Sequence, residues 1–163
     1  MAKNKEEKTN VMRVLEQKKI AYTPHSYPHE EGVAVDGVTV AQSMGFDPAV
    51  VFKTLVARGA SKQYYVFDVP VAENLDLKKA AKAVGEKSIE MLHQKELLPL
   101  TGYVHGGCSP VGMKKLFPTV FHSSAENLAA MIVSAGKIGY QVELAPHDLA
   151  ALVRAKFADI IAQ

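Results

Sequence analysis

The sequence predicts an α+β fold, a mixed or antiparallel sheet with helices at its edges. Three observations carry that prediction. The residues are 48% hydrophobic and 22% charged, a balance that can build a core and is unlike that of a disordered chain. Capped helical segments alternate with β-rich runs along the chain. No repeat, low-complexity tract or linker intervenes, so the 163 residues read as a single domain, 1–163.

Taken in order, "TNVMRVLEQKKI" offers Thr9 or Asn10 as a helix N-cap, with Val11, Val14 and Leu15 on one stripe. "IAYTPHSY" is extended and broken by Pro24. "VTVAQSMGF" is a short helix ended by Gly45, and "DPAVVF" starts a helical turn with Asp47 capping and Pro48 first. "KTLVARGASKQYYVFDVPV" reads as a hairpin around a glycine-containing loop. "LDLKKAAKAVG" is a helix between Asp76 and Gly85. "TGYVHGG", "PTVFHSS" and "AAMIVSAGKIGYQVEL" supply further strands, the last a hairpin around "SAGKIG". "PHDLAALVR" is a closing helix packed by Leu149, Leu152 and Val153.

Composition narrows the function classes. The polar opening "MAKNKEEKTN" holds no apolar h-region, and no apolar run approaches the ~20 residues of a membrane span. With one cysteine, Cys108, no internal disulfide forms. The expectation is a soluble cytoplasmic protein with no membrane contact. A net charge of +2 does not argue for nucleic acid, but its distribution is uneven. Lys3, Lys5, Lys8, Arg13, Lys18 and Lys19 form one basic stretch, Lys78, Lys79, Lys82 and Lys87 a second, and Lys114 with Lys115 a third. Together they could meet a phosphate backbone; solvated helix faces are the preferred reading.

Several chemistries find no support. His25 and His29 have i, i+4 spacing, but Pro24 and Pro28 deny them a shared helical face, and a metal site is not expected. No local Ser-His-Asp set or nucleophile elbow is present. Cys108, between Gly107 and Ser109, is a candidate nucleophile; a small residue packed in a tight loop is the preferred reading. "GGCSPVG", residues 106–112, approaches a phosphate loop but carries Met113 where that motif demands lysine, so nucleoside triphosphate binding is rejected. It remains either a loop that aims N–H groups at an oxyanion or an ordinary tight connection.

Lys53 is the anomaly. It sits inside "VVFKTLVA", sharing a strand face with Val51, Leu55 and Ala57, with no carboxylate within five residues on either side. A buried charge needs a partner or a function. Either the side chain snorkels to the strand's end, or it is a site lysine poised to meet a carbonyl oxygen or a phosphate.

"FKTLV", "LDLKKAAKAVGEKSIEM", "TGYVHGGCSPVGMKK" and "VSAGKIGYQVELAPHDL" together resemble the YbaK (EbsC-like) aminoacyl-tRNA deacylase family. The resemblance runs from about residue 10 to 160 in that family's order, and is nearest its Cys-tRNA(Pro) branch rather than the Ala-tRNA(Pro) editors. It implies a mixed, largely antiparallel barrel-like sheet flanked by helices. It also implies removal of cysteine from mischarged tRNA(Pro), without cofactor, alongside prolyl-tRNA synthetase. Lys53 matches the family's essential lysine; Gly106 and Gly107 match glycines lining the acyl pocket, with Ser109 and Pro110 completing that loop. Tyr27 and Ser134 match two further pocket residues. Ala135 and Ile138 depart from the expected "SGGKRG", and Gln141 replaces a carboxylate of some relatives, so no acidic role carries over to it. The family mechanism is substrate-assisted, the cysteine thiol attacking its own ester carbonyl. A non-catalytic aminoacyl-tRNA or synthetase-binding module, and a hydrolase using Cys108, are the other classes weighed.

Overall fold

Helix boundaries follow their capping residues. The computed structural model describes residues 8–163; Lys3, Lys5 and most of the polar opening lie outside them. Thr9 accepts a hydrogen bond from Met12 N and starts helix α1, Asn10–Gln17, which buries Val11, Met12 and Leu15. Strand β1, Thr23–Ser26, contains Pro24 and lies at a sheet edge, where a missing N–H costs no ladder bond. Asp36 caps helix α2, Gly37–Met44, which Gly45 ends in left-handed conformation. A 3-10 turn, Pro48–Val50, capped by Asp47, then delivers the chain into strand β2, Phe52–Gly59.

β2 forms the expected hairpin with β3, Tyr64–Pro70. Helix α3, Leu77–Val84, runs between Asp76 and Gly85 and buries Ala80 and Ala81. The next segments differ from expectation. Ile89–Met91 is a short strand, β4, and Gln94–Thr101 is a helix, α4, with Pro99 inside it. "TGYVHGG" is therefore the end of α4 and a loop rather than a strand: Gly102 is left-handed and donates to Leu98 O. Strand β5, Thr119–His122, and the hairpin of β6, Met131–Ser134, with β7, Tyr140–Leu144, form as expected. Helix α5, Pro146–Val153, is followed by an unanticipated strand, β8, Ala155–Ala158.

The strands make two sheets. One is antiparallel in the order β1-β7-β6; the other is mixed in the order β4-β2-β3-β5-β8, with β3–β5 and β5–β8 parallel. A single bridge, Val51 to Ile132, joins them where β2 begins, and they do not close into a barrel. α3 covers one face of the larger sheet through Ala80 and Ala81 against Phe67 and Val69. α1 and α5 cover the other core, around Leu15, Phe121, Met131 and Leu149. α2 packs Ala41 on Val51, Val71 and Ile132, directly over the junction between the sheets.

Among the described residues no helix is long and apolar enough to cross a membrane.

Candidate functional site

The junction between the sheets is not filled. A cavity of about 280 Å³ opens beside the first residues of β2, walled by apolar side chains including Val40, Val51 and Val71. Because Asp47 and Pro48 fix where the strand starts, Lys53 falls at this opening as its second residue. The side chain is half-buried and makes no hydrogen bond or ion pair among the described residues. Burial lowers its pKa from the ordinary 10.5, and only the field of Glu73 acts in the opposite direction. Lys53 is thus a partly desolvated cation lining a cavity.

Tyr27, Gly106 and Ser134 line the same cavity. Tyr27 is 4% exposed, its N–H donates to Gly139 O at 3.0 Å, and burial raises its pKa, so the phenol keeps its proton. Ser134 accepts from Gly136 N at 3.1 Å through its hydroxyl. Opposite Ser134 in the β6–β7 register stands Gln141, also on the cavity wall. It is 6% exposed, and its buried Oε1 has no hydrogen-bond partner among the described residues; sequence reasoning had assigned it no role. Thr54, Asp36, His105 and Cys108 also line the cavity and were not expected there.

The glycine loop divides. Gly106 lines the cavity at φ +89°, and a Cβ there would lie 2.7 Å from Ala34 Cβ. Both the left-handed backbone and the close approach demand glycine. Gly106→Ala is expected to cost about 2–4 kcal/mol of stability, measured by urea unfolding. Gly107 does not line the cavity. Its N–H donates to Val104 O at 3.0 Å, so it cannot face an acyl group, and a Cβ would press on Ile138 N at 3.0 Å. The N–H groups of Gly106 and Cys108, by contrast, have no hydrogen-bond partner among the described residues.

Ser109 is fully buried, accepting from Val111 N at 3.2 Å, and Pro110 lines a separate hollow of about 140 Å³ beside Phe117 and Leu152. Gly107, Ser109 and Pro110 therefore shape the loop from behind. Cys108 is 7% exposed, and burial, with a further contribution from Asp68, pushes its pKa up to about 12. Its thiol stays protonated, which argues against a nucleophilic role.

The departures in "SAGKIG" have a packing reason: Ala135 and Ile138 are buried, and Ile138 lies against Gly106. The basic stretches are engaged locally. Lys8 pairs with Glu16 at 3.0 Å, Lys79 with Asp159 at 3.0 Å, and Lys114 donates to Pro99 O, while Lys78, Lys82 and Lys115 are exposed. His25 meets Glu143 at 2.7 Å and His29 meets the Tyr27 carbonyl, so the two imidazoles serve different partners.

The open α+β fold thus holds a cavity lined by a partly desolvated lysine, beside a glycine loop with two amides unpaired among the described residues. The model of the aminoacyl-tRNA editing domain family matches residues 32–152, and the chain belongs to that family. It is 47% identical over 98% of its length, and 98% of the relative's, to a protein of Enterococcus faecalis named as a Cys-tRNA(Pro)/Cys-tRNA(Cys) deacylase, EbsC. A solved structure described as a trans-editing enzyme for prolyl-tRNA synthetase is 25% identical, with a TM-score of 0.79 over 94% of this chain and 95% of that one. A scaffold used for epitope grafting is likewise 25% identical, with a TM-score of 0.81 over 94% and 95% of the two chains.

Proposed function

We propose that this aminoacyl-tRNA deacylase removes cysteine from mischarged Cys-tRNA(Pro), and from Cys-tRNA(Cys), with the substrate's own thiol as nucleophile. The observation that carries the reading is the pairing of an unpartnered, partly desolvated Lys53 with a cavity whose one thiol is held protonated. Such a site can orient an ester and stabilise developing negative charge, and its own thiol is not ionised for attack.

In this mechanism the cysteinyl sulfur attacks its ester carbonyl, the ribose oxygen departs, and water opens the resulting thiolactone. Lys53 offsets negative charge on the carbonyl oxygen, assisted by the amides of Gly106 and Cys108. Tyr27 walls the pocket, and Gln141 on its wall would have to turn its buried, unpaired Oε1 outward to accept from the substrate's α-ammonium. Ser134 lines the pocket beside Gln141. The name of the Enterococcus relative supports a cysteine ester. Pocket size alone separates small amino acids by only about 1–3 kcal/mol per methylene, so thiol reactivity supplies the second filter.

The exposed Lys78, Lys82 and Lys115 offer salt-dependent attraction to tRNA and little base readout. Selection of tRNA(Pro) then falls to prolyl-tRNA synthetase as a cytoplasmic partner. The experiment is single-turnover deacylation of Cys-, Ser- and Ala-tRNA(Pro) in parallel. Cysteine should be released, with serine at least about tenfold slower because its hydroxyl is the harder group to deprotonate. Equal rates for Ser and Cys would remove the self-attack mechanism, alanine release would mark an Ala-type editor, and cleavage of none would leave a binding module.

A further inference from the structure

Asp68 is a buried acid that no step above uses. It lies on β3 with no exposed surface, in the register position facing Thr54 of β2. Its Oδ1 accepts a hydrogen bond from Thr54 Oγ1 at 2.5 Å, and its Oδ2 has no partner among the described residues. Val56, Val66 and Phe117 make the neighbouring packing apolar. A carboxyl costs stability in such a place, so the core gains nothing by holding one.

Its position relative to the cavity gives it a use. Thr54 lines the cavity and donates its hydroxyl proton to Asp68, so its oxygen keeps lone pairs for a further partner. A cysteinyl ester that attacks itself must first lose its thiol proton, and an ordinary thiol holds that proton up to about pH 8.5. We propose that Asp68, acting through the hydroxyl of Thr54, takes the thiol proton of the bound cysteinyl ester. This rests on the deacylase reading above.

The proton balance is complete. The S–H bond breaks and its proton moves to Thr54 Oγ1 as the original hydroxyl proton moves to Asp68 Oδ1. Sulfur then bonds to the carbonyl carbon and the C–O bond to the ribose breaks. The relay runs in reverse, passing one proton to the departing ribose oxygen and restoring the Asp68 carboxylate. Asp68 touches no substrate and is a positioning residue; Thr54 is the group in contact.

The relay needs Asp68 ionised. Burial raises its pKa to about 7, with the Thr54 hydrogen bond acting the other way, so the competent form grows as pH rises through neutrality. Burial and the Thr54 hydrogen bond set that shift, with no neighbouring charge among its causes. β2 brings Thr54, β5 brings Phe121 at the paired position, and the glycine loop brings the Cys108 thiol, which stays neutral. Lys53, the adjacent cation on β2, starts from the opposite strand face and lines the same cavity as Thr54.

The test is single-turnover deacylation of Cys-tRNA(Pro) from about pH 5.5 to 8.5 by wild type, Asp68→Asn, Thr54→Val and Thr54→Ser. General-base assistance is commonly worth 10²–10⁴-fold. Asp68→Asn should be slower by on the order of 10²-fold at pH 8 and lose the inflection near neutrality. Thr54→Val should match it, the double variant should fall no further, and Thr54→Ser should keep the inflection. Should Asp68→Asn fail to fold, the contrast between Thr54→Val and Thr54→Ser decides alone. An Asp68→Asn profile with the wild-type inflection, at any rate, overturns the relay and leaves the deacylase standing. No cleavage by the wild type removes both.

Discussion

Lys53→Ala is expected to lower single-turnover deacylation of Cys-tRNA(Pro) by about 10²–10³-fold, the usual loss when one preorganised oxyanion-stabilising group is removed. The same substitution should leave the protein at least as stable as the wild type near pH 7. The two effects share a cause. The ammonium sits in a partly desolvated position without an ion-pair partner, which costs the folded state and leaves the charge free to meet a carbonyl oxygen. Because the folded pKa lies below the unfolded 10.5, the folded state binds fewer protons between those two values. Wild-type stability therefore rises with pH across that window, while the variant shows no such rise. Lys53→Met keeps most of the apolar stem and separates lost charge from lost packing. An active Lys53→Ala protein would remove the lysine from the reaction, and an inactive one that has also lost stability would show it to be structural.

Asp68→Asn should change the pH dependence of stability more than any other substitution at the site. The folded pKa of Asp68 is raised from 3.8 to about 7, so between those values the folded state binds the extra proton. The sign follows directly: the wild type keeps its full stability below about pH 4 and loses it as pH rises toward 7, by up to about 4 kcal/mol in total. Asparagine can still accept from Thr54 and has no charge to bury, so its curve lacks that decline. Urea unfolding at about pH 4.5 and pH 8 measures the difference. The variant should gain on the wild type with rising pH, whatever its offset at pH 4.5, and parallel curves would mean that Asp68 titrates as an ordinary carboxyl.

These two residues mark how far the chain could be read without its fold. Lys53 was legible because a lone cation in "VVFKTLVA" breaks an apolar pattern, and such a break needs a physical account. Asp68 was not, because "YYVFDVPV" reads as half of a hairpin, and a strand residue's burial depends on what covers the sheet. Tyr27 and Ser134 entered only through resemblance, and the fold brings them to the same cavity as Lys53 and Gly106. Gln141 had seemed only a lost carboxylate; its significance is an unpaired oxygen, a property of neighbours and not of sequence.

Local chemistry determined the elements whose signals lie within a few residues: the Thr9 and Asp76 caps, the left-handed Gly45 and Gly85 ends, and the hairpins at 52–70 and 131–144. It misjudged α4, where Pro99 masks a helix that Gly102 ends one turn later, and β8, whose alanines have little strand preference until β5 supplies a parallel partner. Only the tertiary structure decided which loop atoms face the cavity. It spends the Gly107 amide on Val104 and turns Ser109 and Pro110 away, leaving Gly106 and Cys108 with unpaired amides. The reason is general: a cap or turn is chosen by neighbours along the chain, whereas burial, hydrogen-bond vacancy and pKa are set by groups that folding brings from elsewhere.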